Sequence, residues 1–329
     1  MPAVLVDLGG TYLRLGLWRE YREPEILLRS RIRNFADGTA AVWQEVVSSI
    51  ADFASAVSHL LPAAAPVIIS FPGPVLNRSR ILDAPTVAGA SSAFPDLRST
   101  LARQTGREVH ILNDVSAAAW HMSRRVNAKR FMVVTISSGI GSKVFDRDHA
   151  LGVLDDVTYA GEIGHARVDE SADAPICDCG GRGHLGAIAS GRGILRRARQ
   201  MAFADPAFAD SLCARAFSSS ADALTNEQHL VPAARLGDAW VLGIVRECTA
   251  TLAQVLLQNV MAAGVERVVV IGGFALSLGE TYKAILQDEM VKRCDYRVLA
   301  EHLKDLIVMG EQDACLLGTA AYASRFCSA

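Results

Sequence analysis

The apolar positions at the start of the chain run almost without a break. Val4-Leu5-Val6-Asp7-Leu8 reads as a strand buried on both faces, Gly9-Gly10-Thr11 as a tight turn, and Leu13–Trp18 as a returning strand. The same order recurs at Phe131–Ile136, Ser137–Ser142 and Lys143–Phe145, so similar hairpins open two halves of the chain and point to an internal duplication. Between them lie an amphipathic stretch (Ala40–Leu61), a buried strand (Val67–Ser70), a Pro-containing loop (Phe71–Val75), a helix (Leu97–Thr105) and a strand at His110–Leu112. Asn113-Asp114 then places an acceptor at the start of a helix over Ala117–Met122. The second half has a long loop (Leu154–Gly183), helical stretches at Gly191–Phe203 and Leu236–Ala262, and a strand at Arg267–Ile271 that ends on Gly272-Gly273-Phe274. Strands alternating with helices predict an α/β architecture with layered sheets.

Composition narrows the function. A chain of 329 residues has room for two domains of ordinary size, and hence for a cleft between them. Charges nearly cancel at −2, which argues against a nucleic-acid footprint and for a small-molecule partner. The longest apolar runs, such as Ala63–Ser70, stop well short of the roughly 18 residues a membrane span needs. Met1-Pro2-Ala3 enters the strand pattern at once, with no basic and apolar leader, so no membrane role and a cytoplasmic location are expected. Five of the seven cysteines (Cys213, Cys248, Cys294, Cys315, Cys327) are scattered singly and read as thiols of a reducing compartment. Cys177 and Cys179 differ, because one residue separates them in a glycine-rich loop.

Several loops have the chemistry of phosphate handling. Asp7-Leu8-Gly9-Gly10-Thr11 sets a carboxylate at a strand end beside two glycines, whose missing Cβ atoms let backbone N–H groups approach an anion. Ser137-Ser138-Gly139-Ile140-Gly141-Ser142 again offers amides and hydroxyls with little side-chain bulk. Either loop alone is explained as a hairpin turn; as a pair in a duplicated chain they could grip a polyphosphate from two sides. Gly272-Gly273 after an apolar strand is a third candidate, for a flat ring lying against backbone, although such a pair is usually only a turn. Asp114, read on its own, is a helix cap.

In this order the motifs resemble the ROK family of sugar kinases, within the actin-like ATPase and hexokinase superfamily. The resemblance covers almost the whole chain and rests on Asp7–Thr11, Pro72-Gly73, Asn113-Asp114 followed by alanines, Ser137–Ser142, Gly161-Glu162-Ile163-Gly164-His165, Cys177-Asp178-Cys179-Gly180-Gly181-Arg182-Gly183-His184 and Gly272-Gly273. It implies a two-domain α/β fold of the ribonuclease H-like type with an interdomain cleft. The small domain is expected at 1–116 plus a returning helix at 313–329, the large one at 117–312. The resemblance implies ATP held by Asp7, Gly9, Gly10, Thr11, Ser138 and Gly139 on the phosphates and by Gly272, Gly273 and Phe274 near adenosine, with Mg2+ on the nucleotide. It makes Asp114 the catalytic base, which takes a hydroxyl proton as the oxygen attacks the γ-phosphate. Gly73, Thr86, Asn113, Asp114, Glu162 and His165 are expected at the acceptor. His165, Cys177, Cys179 and His184 are expected to hold a structural Zn2+, since two thiolates and two imidazoles fill a tetrahedral shell and leave no open position. Family members commonly form homodimers.

The departures from the family pattern bear on the substrate. Histidine stands at position 184 where the family has cysteine; Gly186 stands where it usually has a glutamate that contacts hydroxyls near the anomeric carbon; and Thr86 follows Ala84-Pro85 where it usually has asparagine. Loss of a charged hydrogen-bond acceptor costs on the order of 1.5–3 kcal/mol, which counts against plain glucose. Asn113 and Asp114 keep the end of the ring that bears the exocyclic CH2OH. The expected acceptor is therefore a hexose-like ring phosphorylated on CH2OH but altered at the opposite end, such as a 2-epi-5-epi-valiolone-type C7-cyclitol, a substrate of a known ROK-like branch. Glucose and N-acetylmannosamine or N-acetylglucosamine are the alternatives. Two further rivals are a transcriptional regulator, disfavoured because the chain opens on the phosphate loop itself, and a non-catalytic sugar sensor. Retention of Asp114 argues against the sensor, but Ser142 and Lys143 replace usual glycines and would either crowd the phosphates or add charge to them.

Overall fold

The computed structural model describes residues 2–10, 12–20, 22–32, 39–84, 87, 95–217 and 220–327. Thr11 and Thr86 lie outside them. The chain forms two compact units, Met1–Asn127 with Phe145–Ala160 and Asp313–Ala329, and Ala128–Val144 with Gly161–Gln312.

The first unit is built on five strands in the order β3-β2-β1-β4-β7. They are β1 (Ala3–Leu8), β2 (Tyr12–Trp18), β3 (Glu25–Arg31), β4 (Val67–Phe71) and β7 (Val109–Asn113), while β5 (Val75–Leu76) and β6 (Arg80–Ile81) make a separate small hairpin. β1 to β3 are antiparallel, and β4 and β7 run parallel to β1. The unbroken apolar run of β1 has its reason here, because both faces of the sheet are covered. Val4, Val6 and Leu8 join Val42, Trp43, Val46 and Ile50 of α1 (Thr39–Ala56) and Leu97 and Leu101 of α2 (Leu97–Thr105) in one core. Ala3 and Leu5 face the other way, onto Ala117 of α3 (Asp114–Met122) and Leu316, Ala320 and Tyr322 of the C-terminal helix Ala314–Phe326. These two helices are alanine-rich because they nearly touch: a Cβ on Gly318 would fall 1.7 Å from Ala117 O. Asp7 shares the face of Ala3 and Leu5, so its carboxylate is carried into this second layer.

The second unit has a sheet in the order β11-β10-β8-β9, formed by β8 (Arg130–Ile136), β9 (Ile140–Asp146), β10 (Arg267–Ile271) and β11 (Ile307–Met309), with β10 parallel to both β8 and β11. Its core gathers Val134, Ile136, Val268 and Val270 with α4 (Leu185–Ala189), α5 (Gly191–Ala204), α6 (Ala239–Ala263) and α8 (Glu280–Lys292), which follows the short α7 (Gly273–Leu278). α6 is apolar and long enough by composition to cross a membrane, yet Val241, Ile244, Val245, Cys248, Leu252, Leu256 and Val260 form a buried stripe at helical spacing. It is a core helix. Asp238 caps it through Trp240 N and Val241 N, and Gly237 at φ +82° breaks the chain before it, so the helix starts at Ala239 and not at Leu236.

Candidate active site

In the first unit the residues expected at the acceptor are organised by hydrogen bonds that close the end of β7. The Asn113 side-chain oxygen accepts from Val115 N (3.0 Å) and Ser116 N (3.1 Å), and its Nδ2 donates to Gly73 O (3.0 Å). Asn113 is thus the cap of α3 and also the tie that holds the Gly73 loop. Gly73 is glycine because an added Cβ would meet Asp83 O at 2.3 Å. Asp114 is the first residue of α3, its Oδ1 accepts from Val115 N (2.8 Å), and the amide end of the helix favours negative charge there.

Asp7 lies close by in chemical terms. Its Oδ1 accepts from Ser70 Oγ (2.9 Å) and its Oδ2 from the Arg14 guanidinium, which also reaches Asp313 at 3.6 Å. Burial raises the Asp7 carboxyl above its ordinary range; Arg14 and Ser70 pull the other way and do not fully offset it. The Cys315 thiol is pushed up by burial and then by the negative charges of Asp7 and Asp114, so both carboxylates belong to one electrostatic neighbourhood. Ser70 and Arg14 were not picked out by sequence reasoning. The register of the β1–β2 hairpin is the signal that would have found Arg14, because it sits directly opposite Asp7.

In the second unit Ser138, Gly139, Gly272, Gly273 and Phe274 meet at the carboxyl ends of β8 and β10, where parallel α/β sheets bind ligands. Gly272 adopts φ +99° and an added Cβ would strike Ile136 O at 2.5 Å; Gly191 N donates to Ser137 O at 2.8 Å. Gly139 has nothing within 4 Å of an added Cβ, which is open space of the kind a phosphate oxygen needs against bare backbone. The Phe274 ring is buried and edge-on to Tyr282, so its outward offering is backbone. Arg192 is a further residue that reasoning from the sequence missed. It donates to Ser138 O (2.7 Å) and pairs with Asp178 (2.6 Å), linking the Ser137–Ser142 turn to the loop between the two cysteines.

That loop brings His165, Cys177, Cys179 and His184 together, with their ligand atoms all within 4.8 Å of one another. Cys179 Sγ is 3.3 Å from His184 Nδ1 and Cys177 Sγ is 4.0 Å from His165 Nδ1. Tetrahedral bonds of about 2.3 Å to sulfur and 2.0–2.1 Å to nitrogen put neighbouring ligands roughly 3.4–3.8 Å apart, so this donor set fits zinc with small adjustments. Backbone bonds make the knuckle: Cys177 N donates to Gly181 O (2.7 Å) and Gly180 N to Cys177 O (2.8 Å). A Cβ on Gly181 would lie 2.1 Å from the His184 ring, so the glycine admits the histidine that replaces the family's cysteine. Burial, then the positive neighbours His165 and Arg167, hold His184 below its ordinary range, toward the neutral form that ligates; burial raises the Cys177 thiol, which a cation would reverse.

The Gly161–His165 segment lies along the outer edge of β9. Ser142 N and Oγ both donate to Gly161 O, at 2.8 and 3.1 Å. Added Cβ atoms at Gly161 and Gly164 would fall 1.7 Å from Ser142 O and 2.0 Å from Ile140 O. The two glycines of this motif are therefore contact positions against a strand. Lys143, expected near phosphates, is buried and has its Nζ 3.9 Å from Glu162 Oε1. Gly186 faces the same segment, its added Cβ 3.2 Å from Gly164 O.

The model of the ROK family matches residues 3–325. The chain is 38% identical over 325 residues to the C(7)-cyclitol 7-kinase of Streptomyces hygroscopicus subsp. limoneus, covering 96% of this chain and 92% of that one. It is 28% identical to the N-acetylmannosamine kinase of Escherichia coli (strain SE11), covering 98% of each. Among solved structures, a ROK family glucokinase from Streptomyces griseus, in complex with glucose and AMPPNP, superimposes with a TM-score of 0.74 over 99% of this chain and 100% of that one, at 23% identity. The fold is that of the two-domain hexokinase-type α/β kinases, and the chain belongs to the ROK family.

Proposed function

We propose that this protein is an ATP-dependent kinase that phosphorylates the primary hydroxyl of a C7-cyclitol of the 2-epi-5-epi-valiolone type. The observation that carries the reading is the Asn113-Asp114 turn. A cap that ties the Gly73 loop also fixes the first residue of α3, which supports a role for the Asp114 carboxylate at an incoming hydroxyl. The 38% identity to a cyclitol 7-kinase supports this acceptor class over the alternatives.

In this reading Asp114 orients the CH2OH group and accepts its proton late in transfer, when the oxygen has become acidic. Asn113 and Gly73 bind the same end of the ring; Glu162 and His165 bind ring hydroxyls away from it, with Thr86 as a further contact. Ser138, Gly139 and the amides of Gly9, Gly10 and Thr11 receive the phosphates, Asp7 belongs to the same phosphate end, and Gly272, Gly273 and Phe274 border the adenosine. Mg2+ supplies charge neutralisation on the nucleotide when bound. Zn2+ held by His165, Cys177, Cys179 and His184 is structural, and fixes the His165 ring so that its other nitrogen meets a hydroxyl. The chain acts as a cytoplasmic homodimer.

Gly186 supports discrimination against glucose, since no carboxylate reaches from that position. Coupled ADP release measured across 2-epi-5-epi-valiolone, glucose, N-acetylmannosamine and N-acetylglucosamine tests the proposal. The cyclitol is expected to give the highest kcat/KM, and a strong preference for glucose would refute it.

A further inference from the structure

Lys143 is a basic side chain with only 4% exposure on β9, and burying a charge requires a partner close at hand. Its stem runs over Gly161, with Cδ 3.3 Å from where a Gly161 Cβ would stand. Its ammonium ends 3.9 Å from Glu162 Oε1. That separation exceeds a hydrogen bond and is within ion-pair reach, so the attraction steers the carboxylate without occupying its lone pairs. Glu162 keeps 28% exposure, which sets the cation beneath and the carboxylate outward. The backbone on either side cannot drift, because Ser142 holds Gly161 O twice and Gly161 and Gly164 sit hard against β9. Across the same segment, Gly186 brings no side chain.

We infer that Lys143 is a positioning residue for acceptor recognition: it holds the Glu162 carboxylate from below, aimed at the hydroxyls of a neutral polyol ring, in a pocket wall that has no second carboxylate at position 186. The inference rests on the proposed role of Glu162 at the acceptor. It assigns the buried cation to the acceptor and not to the phosphates of ATP.

The test uses the full chain and the best acceptor of the panel above, whichever that is. Lys143→Met is expected to raise the acceptor KM about tenfold or more while kcat stays within about threefold and the KM for ATP within about twofold. Lys143→Arg restores the acceptor KM to within about threefold of the parent. In a Glu162→Gln background, Lys143→Met adds no further loss, because the side chain it acts through has lost its charge. Lys143→Gln, which keeps a donor without the charge, runs alongside so that a folding defect in the methionine variant does not decide the matter; it is expected to behave as Lys143→Met. A rise in the KM for ATP with an unchanged acceptor KM, or losses that multiply in the double variant, overturns the inference. Glucose emerging as the best acceptor refutes the cyclitol reading and leaves these measurements fully readable.

Discussion

The two hairpins that open the halves of this chain carry a cation at the same place and pair it differently. Counting from Gly10 and Gly139, the fourth residue onward is Arg14 in one and Lys143 in the other. In the first unit the strand opposite supplies the acid, and Arg14 meets Asp7 across β1 and β2. In the second unit Ile136 stands three residues before Gly139, as Asp7 stands three before Gly10, and the acid comes instead from the loop that follows, as Glu162. The two similar hairpins thus each carry a cation on the returning strand, partly buried at Arg14 and buried at Lys143, and take its partner from different places. One pair lies within a sheet; the other joins a strand to the loop that we assign to the acceptor.

The sharpest way to break this division is to remove the carboxylate assigned to chemistry. Asp114→Asn keeps the shape and much of the hydrogen bonding at the start of α3 but cannot take a proton. We expect kcat to fall by roughly 10²–10⁴, the usual worth of a positioned base, with acceptor affinity held within a few-fold. Turnover by coupled assay and acceptor titration by calorimetry read the two effects separately. Parent-like turnover in this variant would remove Asp114 from the chemistry.

Removing zinc should act next most strongly, and on binding more than on kcat. Cys179→Ser takes one ligand from a set whose other members lie within 4.8 Å, and a lost outer support typically costs 10–100-fold in affinity or activity, on the order of what we expect for the acceptor KM. Metal content by elemental analysis should drop from one zinc per chain in the parent. A metal-free parent with full activity would reduce the four residues to a polar knuckle.

These side chains were unequally legible in the sequence. β1 announced itself, because a strand buried on both faces needs an unbroken apolar run, and the cap at Asn113 followed from residue type and position. The cluster of His165, Cys177, Cys179 and His184 was legible because donor chemistry and a shared glycine-rich loop coincide. Lys143 was visible as a departure, but its direction was not, since that depends on Gly161 leaving a channel over β9. Ser70 and Arg192 gave no signal at all: one serine in a strand and one arginine in a first helical turn look like any others until tertiary contacts bring Asp7 and Ser138 to them. Thr86, where the family pattern is broken, lies outside the described residues.

The Arg14–Asp7 pair offers a stability counterpart. Arg14→Met leaves a buried carboxylate with Ser70 as its remaining side-chain donor, and unpairing a buried charge costs about 3 kcal/mol or more. The sign with pH follows from Asp7 lying above its ordinary range already. A raised carboxyl favours the protonated form in the folded state, so its cost is absent at low pH and grows as pH rises through the folded pKa. Without Arg14 the carboxyl moves further up. The destabilisation measured by urea unfolding should therefore be largest near pH 7.5 and shrink toward pH 5. A gap that widens on acidification would show that the cation, and not the carboxylate, is the stressed partner.

Glu289 in the second unit inverts this case and closes the comparison at the smallest effect. Burial alone would raise its carboxyl as it raises that of Asp7, but Lys292, Arg246 and Arg293 all donate to it and together bring it down to about 2. Three cations against one decide the direction. A depressed carboxyl contributes stability that is complete above the ordinary value near 4.5 and disappears as pH falls toward about 2. The contribution is small, because Lys292 and Arg246 keep 57% and 40% of their side-chain surface in solvent, where water and salt screen the pairs. Glu289→Gln should cost about 1 kcal/mol at pH 7, less in 0.5 M salt, and the loss should fade below pH 4.5. Arg14→Met and Glu289→Gln should thus both lose their penalty in acid for opposite reasons. In the first a charge left without its cation is neutralised in the variant, and in the second a well-paired charge is neutralised in the parent. Salt separates the two: it should weaken the parent's Glu289 network while leaving the sheltered Asp7 pair nearly unchanged.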